Sequence, residues 1–181
     1  MFLGELDPEA IGPSLEHATH YEPTPVAQAE ALLDLSPLAP PATTFVDLGA
    51  GMGRVVMLAA RRPFRAVVGV EISPALAEIA RENLASLRDP RRVATDVKIV
   101  RADASEYVIP RGDLVVFMYN PFRAPVMTEV LENLTASGEP REIVLLYHTP
   151  LERATIDAGG TFDLLADLGY GVAYRLRRPC R

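Results

Sequence analysis

The sequence predicts an α/β fold: a mostly parallel sheet of seven strands with helices on both faces and a C-terminal antiparallel hairpin. Three observations predict it. Short apolar segments alternate with segments of helical spacing between residues 43 and 147, as in parallel sheets that are covered on both faces. A glycine-rich turn joins the first strand to the first helix of this alternation. Two further strands around Gly169 and Gly171 then close the chain as a hairpin.

The individual elements follow from apolar periodicity and from the residues that end each segment. β-Branched and apolar residues mark the strands, and Pro63 ends the helix after the glycine turn. Ser73 predicts the start of the next helix as its N-cap, with Pro74 at the first helical position. Gly138 lies near the end of the last predicted helix, and Gly159-Gly160 ends a short segment at 151–158. The predicted strands are 43–48, 66–72, 97–100, 113–119, 142–147, 162–168 and 170–177, and the predicted helices are 26–35, 54–62, 74–87 and 126–134.

The 181 residues suit a single domain with a short leader. Residues 1–42 are rich in proline and polar residues and are predicted to pack across the domain, which we place at 43–181. The acidic start lacks the basic residues and apolar run of a signal peptide, and no stretch approaches the ~18 apolar residues of a membrane span. We therefore expect a cytoplasmic protein without a membrane partner.

Charge and metal-binding residues narrow the possible partners. The net charge of -6 and the pI near 5.1 argue against nucleic acid as a partner, because nucleic-acid binding usually shows a basic footprint. The only cysteine, Cys180, has no partner, and the histidines lack neighbours at zinc-ligand spacing, so no metal is predicted. Arginine supplies nearly all the positive charge, which indicates a GC-rich bacterial genome.

The turn after the first strand is the most informative motif. Gly49, Gly51 and Gly53 follow Asp47 in a G-x-G-x-G pattern. The dinucleotide pattern G-x-G-x-x-G would need glycine where Arg54 stands, and a P-loop would need a Lys-Ser/Thr pair. Such a turn brings the backbone close to a ligand and directs helix N–H groups at it. It predicts a ligand with an anionic group or a hydrogen-bond acceptor near the turn.

Two acidic residues follow at the ends of the next two strands. Glu71 ends the second strand about 20 residues after the turn, where a carboxylate can accept both hydroxyls of a ribose. The alternative is that Glu71 caps the helix that begins at Ser73. Asp103 follows the third strand, where it can accept a hydrogen bond from an adenine amino group or act as an N-cap on the surface.

These motifs, in this order, resemble those of the Rossmann-like class I S-adenosylmethionine-dependent methyltransferases. The resemblance runs from about Tyr21 to the C-terminus. The segments Asp47–Arg54 and Tyr21–Pro25 are similar to small bacterial proteins related to protein-lysine methyltransferases. The resemblance implies S-adenosylmethionine as the cofactor, with its methionine part at Asp47, Gly49, Ala50, Gly51 and Gly53, its ribose at Glu71 and Ile72, its adenine at Asp103 and Ala104, and Tyr21 and Thr24 closing over the methionine end.

The fourth strand ends in Tyr119-Asn120-Pro121-Phe122, which is the predicted catalytic segment. It resembles the Asn-Pro-Pro-Tyr/Phe motif of amino-directed methyltransferases, in which the Asn oxygen and a backbone carbonyl hold a planar NH₂ and the ring stacks on it. Only one proline is present, and a purely structural exit from the sheet is the alternative. Tyr147, His148 and Tyr21 are candidates for a general base, although His148 is interpreted as a surface or loop residue.

The sequence thus predicts methyl transfer from S-adenosylmethionine to an unidentified acceptor, preferably a nitrogen of a protein side chain or a small molecule. A non-catalytic cofactor-binding or interaction protein is the main alternative. A nucleic-acid amino-methyltransferase and an NAD-dependent dehydrogenase rank lower. Against the dehydrogenase stand Arg54 at the third fingerprint position and the absence of a substrate domain.

Overall fold

A computed structural model describes residues 24–119, 122–136 and 141–177. The strands are β1 (Thr44–Leu48), β2 (Ala66–Glu71), β3 (Val97–Arg101), β4 (Leu114–Tyr119), β5 (Ile143–His148), β6 (Phe162–Asp167) and β7 (Gly171–Leu176). The helices are α1 (Val26–Leu33), α2 (Arg54–Ala59), α3 (Pro74–Ser86), α4 (Ala124–Thr135) and α5 (Arg153–Gly159), and a 3₁₀ turn covers Pro40–Ala42.

All seven strands form one sheet in the order β3-β2-β1-β4-β5-β7-β6. The strands from β3 to β5 are parallel to their neighbours, whereas β7 is antiparallel to both β5 and β6. The fold predicted from the sequence is confirmed, including the C-terminal hairpin. The order reverses between β1 and β4, and the carboxyl ends of strands on either side of such a point form the usual ligand crevice.

Two apolar clusters cover the two faces of the sheet. Helices α1, α2 and α3 pack on one face around Phe45 and Phe117. Helices α4 and α5 pack on the other face around Met118 and Tyr147. Every residue of β1 and of β5 is buried, as expected for central strands with helices on both sides. The buried centre fixes which strand ends meet at the crevice.

Most element boundaries agree with the sequence predictions to within one to four residues. Helix α2 is shorter than predicted because its last turn tightens: Arg61 and Arg62 donate to the carbonyls of Leu58 and Ala59, three residues back. Strand β5 lies one residue further along the chain than predicted and therefore includes His148. Ser73 caps α3 as predicted, since its Oγ accepts from the Leu76 N–H at 3.4 Å.

Helix α1, within the predicted leader, is fixed to the sheet face by both apolar and ionic contacts. Ala29, Leu32 and Leu33 are buried in the cluster with α2. Arg61, just after the end of α2, makes ion pairs with Glu30 at 3.1 Å and with Asp89 at 2.7 Å. The boundary at residue 42 stays a prediction. Among the residues described here, no helix has the length and apolar character to cross a membrane, and no cluster of metal-ligating side chains occurs.

Candidate functional site

The glycine turn needs glycine for both conformation and space. Gly49, Gly51 and Gly53 all have positive φ, at 82°, 53° and 82°. These values are uncommon for other residues. A Cβ on Gly53 would also lie 3.2 Å from the Cβ of Ala80, which brings α3 against the start of α2. The turn is therefore a rigid, tightly packed loop at the crevice between β1 and β4.

The backbone N–H groups of this turn are largely used inside the protein. Gly49 and Ala50 donate to the Val70 carbonyl, each at 2.9 Å, and Gly53 donates to Ala50 at 2.9 Å. Gly51 donates to Oε2 of Glu71 at 2.8 Å. The expectation that these N–H groups point at an anionic or hydrogen-bond-accepting ligand is therefore wrong for these four residues. The carbonyls of Val70 and Ala50 accept three of these N–H groups, and the buried carboxylate of Glu71, which itself needs donors, accepts the fourth.

Glu71 braces both the glycine turn and the start of α3. Its Oε1 accepts from the Ser73 N–H at 2.9 Å, while Oε2 holds Gly51. Burial raises the pKa of Glu71 above its usual value, and the backbone hydrogen bonds from Ser73 and Gly51 partly offset that rise. A carboxylate has about four acceptor positions. The helix-start contact proposed as the alternative is thus present, and acceptor positions are still left for ribose hydroxyls.

Asp47 is a second buried acid beside the turn. It is 3% exposed, and its carboxylate makes no hydrogen bond or ion pair within the described part of the chain. Burial, with the nearby charge of Glu71 as a smaller cause, raises the pKa of Asp47 from 3.8 to about 8. A ligand that brings positive charge would stabilise the ionised form of this acid.

Two buried acids at a glycine turn suit some nucleotide-like ligands and not others. S-adenosylmethionine carries a sulfonium, an ammonium and two ribose hydroxyls, so it offers cationic groups and donors to Asp47 and Glu71. A dinucleotide would bring its diphosphate to the glycine turn, where the ionised form of Asp47 would repel it. The Gly51 N–H that could bind a diphosphate is already held by Glu71. The residues present therefore fit S-adenosylmethionine and disfavour NAD.

Asp103 accepts local hydrogen bonds in the turn after β3, where none of the described helices begins, so its alternative role as an N-cap is wrong. Its Oδ1 accepts from the Ser105 N–H at 2.9 Å and from the Ser105 hydroxyl at 2.8 Å. Ala104 is buried in the cluster around α4. The predicted adenine contact of Asp103 and Ala104 stays a prediction, as does the ribose contact of Ile72.

The catalytic segment and the leader are only partly described. Asn120, Pro121 and Tyr21 lie outside the described residues, so their predicted roles stay predictions. On either side of 120–121, Tyr119 packs against the cluster with α1 to α3 and Phe122 against the opposite cluster. Thr24 is buried, and its carbonyl accepts from Arg54 at 3.1 Å, which connects the leader to the residue after Gly53.

His148 lies in a buried cluster that the sequence interpretation missed. It is 3% exposed at the end of β5 and pairs in register with Tyr119, so its interpretation as a surface or loop residue is wrong. Its Nε2 lies 2.7 Å from Oε1 of Gln28 and its Nδ1 lies 2.9 Å from Oγ1 of Thr149. The ring centroids of Tyr119 and Tyr170 lie 4.5 Å and 5.8 Å from that of His148. The one feature of the sequence that could have indicated this cluster was a histidine at the end of an apolar strand.

Tyr147, the neighbour of His148 on β5, does not lie at the crevice. Its side chain is fully buried on the opposite face, where its hydroxyl accepts from the Glu152 N–H at 3.2 Å. Burial raises the pKa of Tyr147 to about 12. The side chain is therefore not placed to act as a base at the crevice.

Comparison with known proteins agrees with this site. The methyltransferase domain family matches residues 45–140, more than half of the chain, and the chain therefore belongs to that family. An RNA methyltransferase from Salinibacter ruber, in complex with S-adenosyl-L-homocysteine, has a similar structure, with a TM-score of 0.62 and 26% identity over 86% of this chain and 92% of the other. The search of curated proteins found no match.

Two more distant structures share the fold. One is a magnesium protoporphyrin IX methyltransferase from Synechocystis with bound S-adenosylmethionine, with a TM-score of 0.54 and 17% identity over 84% of this chain and 76% of the other. The second is a 23S rRNA methyltransferase, with a TM-score of 0.60 and 17% identity over 88% and 70%. The protein is an S-adenosylmethionine-dependent methyltransferase with the Rossmann-like seven-stranded fold.

Proposed function

We propose that this enzyme transfers a methyl group from S-adenosylmethionine to a nitrogen of a protein side chain or a small molecule. The observation that carries the proposal is the pairing of β1 with β4, in which Leu48 lies opposite Met118. The glycine turn begins directly after Leu48, and the segment Tyr119–Phe122 begins directly after Met118. Adjacent parallel strands that end together bring the two segments to one edge of the sheet.

The cofactor residues are proposed from the sequence and supported by the geometry of the turn. Asp47 and the turn residues Gly49, Ala50, Gly51 and Gly53 hold the methionine part. Glu71 and Ile72 hold the ribose, Asp103 and Ala104 hold the adenine, and Tyr21 and Thr24 cover the methionine end. Support comes from the unpaired carboxylate of Asp47 in the described part and from the position of Thr24 against Arg54.

On the acceptor side, the chain's own task is alignment. The bound cofactor supplies an already activated methyl group. The Asn120 side-chain oxygen and a backbone carbonyl accept hydrogen bonds from the NH₂ of the acceptor, while the Phe122 ring packs on its plane. Alignment of this kind can provide up to ~7–11 kcal/mol of acceleration, and a neutral acceptor nitrogen needs no general base. Both ring nitrogens of His148 already have partners, which fits a reaction without a histidine base.

The test is methyl transfer into fractionated bacterial extract with labelled cofactor. Wild-type protein is expected to label the protein or small-molecule fraction. Asn120→Ala is expected to lower the rate ~100-fold, the scale on which a small misplacement of reacting groups acts. Its affinity for S-adenosylhomocysteine should stay within a few-fold of wild type. Equal rates for the two proteins would make Asn120 a structural strand exit, and no label in any fraction would favour a cofactor-binding protein without an acceptor site.

An amino group of an RNA base is the second candidate acceptor. It is favoured by the Salinibacter ruber RNA methyltransferase, which this chain covers over 92% of its length. The net charge of -6 argues against it, because RNA binding draws on basic surface. Label in the RNA fraction that is released by ribonuclease would establish this candidate in place of the first.

We also propose that the enzyme works in the bacterial cytoplasm. A bacterial source is supported by the arginine-rich composition and by the bacterial origin of the Salinibacter ruber structure. The cytoplasmic location comes from the sequence prediction. Fractionation of a native host with an antibody to the protein would test it, and recovery in the periplasmic or membrane fraction would contradict it.

A further inference from the structure

We propose that His148 is a positioning residue, held by Gln28 and Thr149, that fixes the Tyr119 ring at the end of β4, at the exit of the chain from the sheet. The inference rests on the proposed function, which assigns that exit to the acceptor. His148 and Tyr119 lie opposite each other at the ends of β5 and β4. Their rings meet edge to face, with centroids 4.5 Å apart and planes at 70°.

The ring of His148 is held at both nitrogens. The Gln28 Oε1 atom, 2.7 Å from Nε2, is an acceptor, so Nε2 carries a proton. The Thr149 hydroxyl, 2.9 Å from Nδ1, then donates to that nitrogen. This arrangement favours one neutral tautomer in one orientation. A ring fixed in this way presents a constant edge to Tyr119.

Each of the two partners is itself held by other parts of the fold. Gln28 lies on α1, whose buried face includes Ala29 and Leu32. Thr149 has a positive φ of 48°, and its N–H donates to the Tyr170 carbonyl at 2.8 Å. Such a φ is an outlier for a β-branched residue, and strained residues of this kind cluster at functional sites. The leader helix and the loop after β5 are thus joined through His148 to the end of β4.

The first arm of the test measures the tautomer and needs no acceptor. Protein labelled with ¹⁵N-histidine is expected to show one neutral ring with its proton on Nε2, and that signal should disappear in His148→Gln. Gln28→Leu should shift this signal, whereas Gln28→Glu, which keeps an acceptor at the same place, should keep a protonated Nε2. A His148 ring protonated on Nδ1 alone would overturn the proposal.

The second arm measures whether the hydrogen bonds fix Tyr119. In protein labelled with fluorotyrosine, the Tyr119 signal is assigned by its loss in Tyr119→Phe, with Tyr174 on the opposite face as the internal control. Gln28→Leu and Thr149→Val should broaden or shift the Tyr119 signal and leave the Tyr174 signal in place. Thr149→Ser keeps the hydroxyl and should restore the wild-type signal. His148→Phe keeps a ring without its hydrogen bonds, so a wild-type Tyr119 signal in this variant would show packing alone and overturn the proposal.

The third arm uses the labelled extract fraction as its acceptor probe. Gln28→Leu and Thr149→Val are expected to lower the rate of methyl incorporation ~10-fold or more, with affinity for S-adenosylhomocysteine unchanged within a few-fold. Thr149→Ser should again recover the rate. Unchanged rates in both variants would contradict the positioning role. If wild-type protein labels no fraction, the proposed function fails, and the two spectroscopic arms still decide the arrangement around His148.

Discussion

The region around the glycine turn and the region around His148 lie at the same edge of the sheet, but they are assembled over different distances along the chain. The contact between Gly51 and Glu71 joins residues 20 apart. The contact between His148 and Gln28 joins residues 120 apart. The first region depends on backbone conformations that only a few residue types adopt. The second depends on side chains that the tertiary fold brings together.

The two regions also differ in charge. Asp47 and Glu71 are buried acids, and burial raises the pKa of both. The cluster around His148 is built from neutral polar and aromatic groups, namely Gln28, Thr149, Tyr119 and Tyr170. This difference indicates a division of work: the acidic region suits a cationic, hydroxyl-bearing cofactor, and the neutral region suits fixed positioning of an uncharged group.

Among the changes that test this comparison, Glu71→Ala should have the largest effect on cofactor affinity and stability. The change removes the proposed ribose acceptor and leaves the Gly51 and Ser73 N–H groups without their present partner. Cofactor affinity should fall ~100-fold, and stability should fall by about 1–3 kcal/mol. Calorimetry with S-adenosylhomocysteine and thermal unfolding would measure both. Glu78→Ala, at an exposed position paired with Arg81, is the matched control. Unchanged cofactor affinity would mean that Glu71 only stabilises the glycine turn and the start of α3.

The same contrast explains what could be predicted from the sequence. Glycine spacing and a strand-end acid have few alternative uses, so Asp47, Gly51 and Glu71 could be identified as one site before the structure. The hydrogen bond between Gly51 and Glu71 could not be predicted, because a sequence motif does not indicate which N–H groups will donate to a buried carboxylate.

The cluster around His148 could not be predicted from local sequence patterns. The partners of His148 lie on α1, at the following residue and at the start of β7, and only strand order brings them together. The sheet itself was predicted because alternating strands and helices permit few topologies. Element ends differed where the turn after α2 tightened and where β5 lies one residue further along the chain, which local sequence signals do not specify.

A second, smaller effect should appear in the pH dependence of the acidic region. Because the folded-state pKa of Asp47 is raised from 3.8 to about 8, the protonated form is favoured in the folded, ligand-free protein. Its contribution to stability is present below about pH 3.8 and is lost as the pH rises towards 8. A cationic cofactor favours the ionised form, so cofactor affinity should rise with pH below 8, by up to about tenfold per unit.

The Asp47→Asn variant tests both the pH dependence of stability and the pH dependence of cofactor affinity. The variant should be more stable than wild type at pH 8 without ligand, and it should bind S-adenosylhomocysteine more weakly, with a flatter pH dependence between 6 and 8. Thermal unfolding and calorimetry across that range would measure both quantities. A wild-type affinity that falls as the pH rises would contradict the cationic contact at Asp47.

The smallest expected effect is at Thr149, in the region around His148. Its φ of 48° costs free energy in a β-branched residue, whereas asparagine tolerates this conformation better and keeps a polar side chain near Nδ1 of His148. Thr149→Asn should therefore raise the free energy of unfolding by about 0.5–1 kcal/mol. Thr155→Asn is the control, because Thr155 lies inside α5, where asparagine gains nothing of this kind. Denaturant unfolding of both variants decides the matter. Equal losses of stability would mean that Thr149 stores no strain, and the link between the loop after β5 and His148 would then depend on the Thr149 hydroxyl alone.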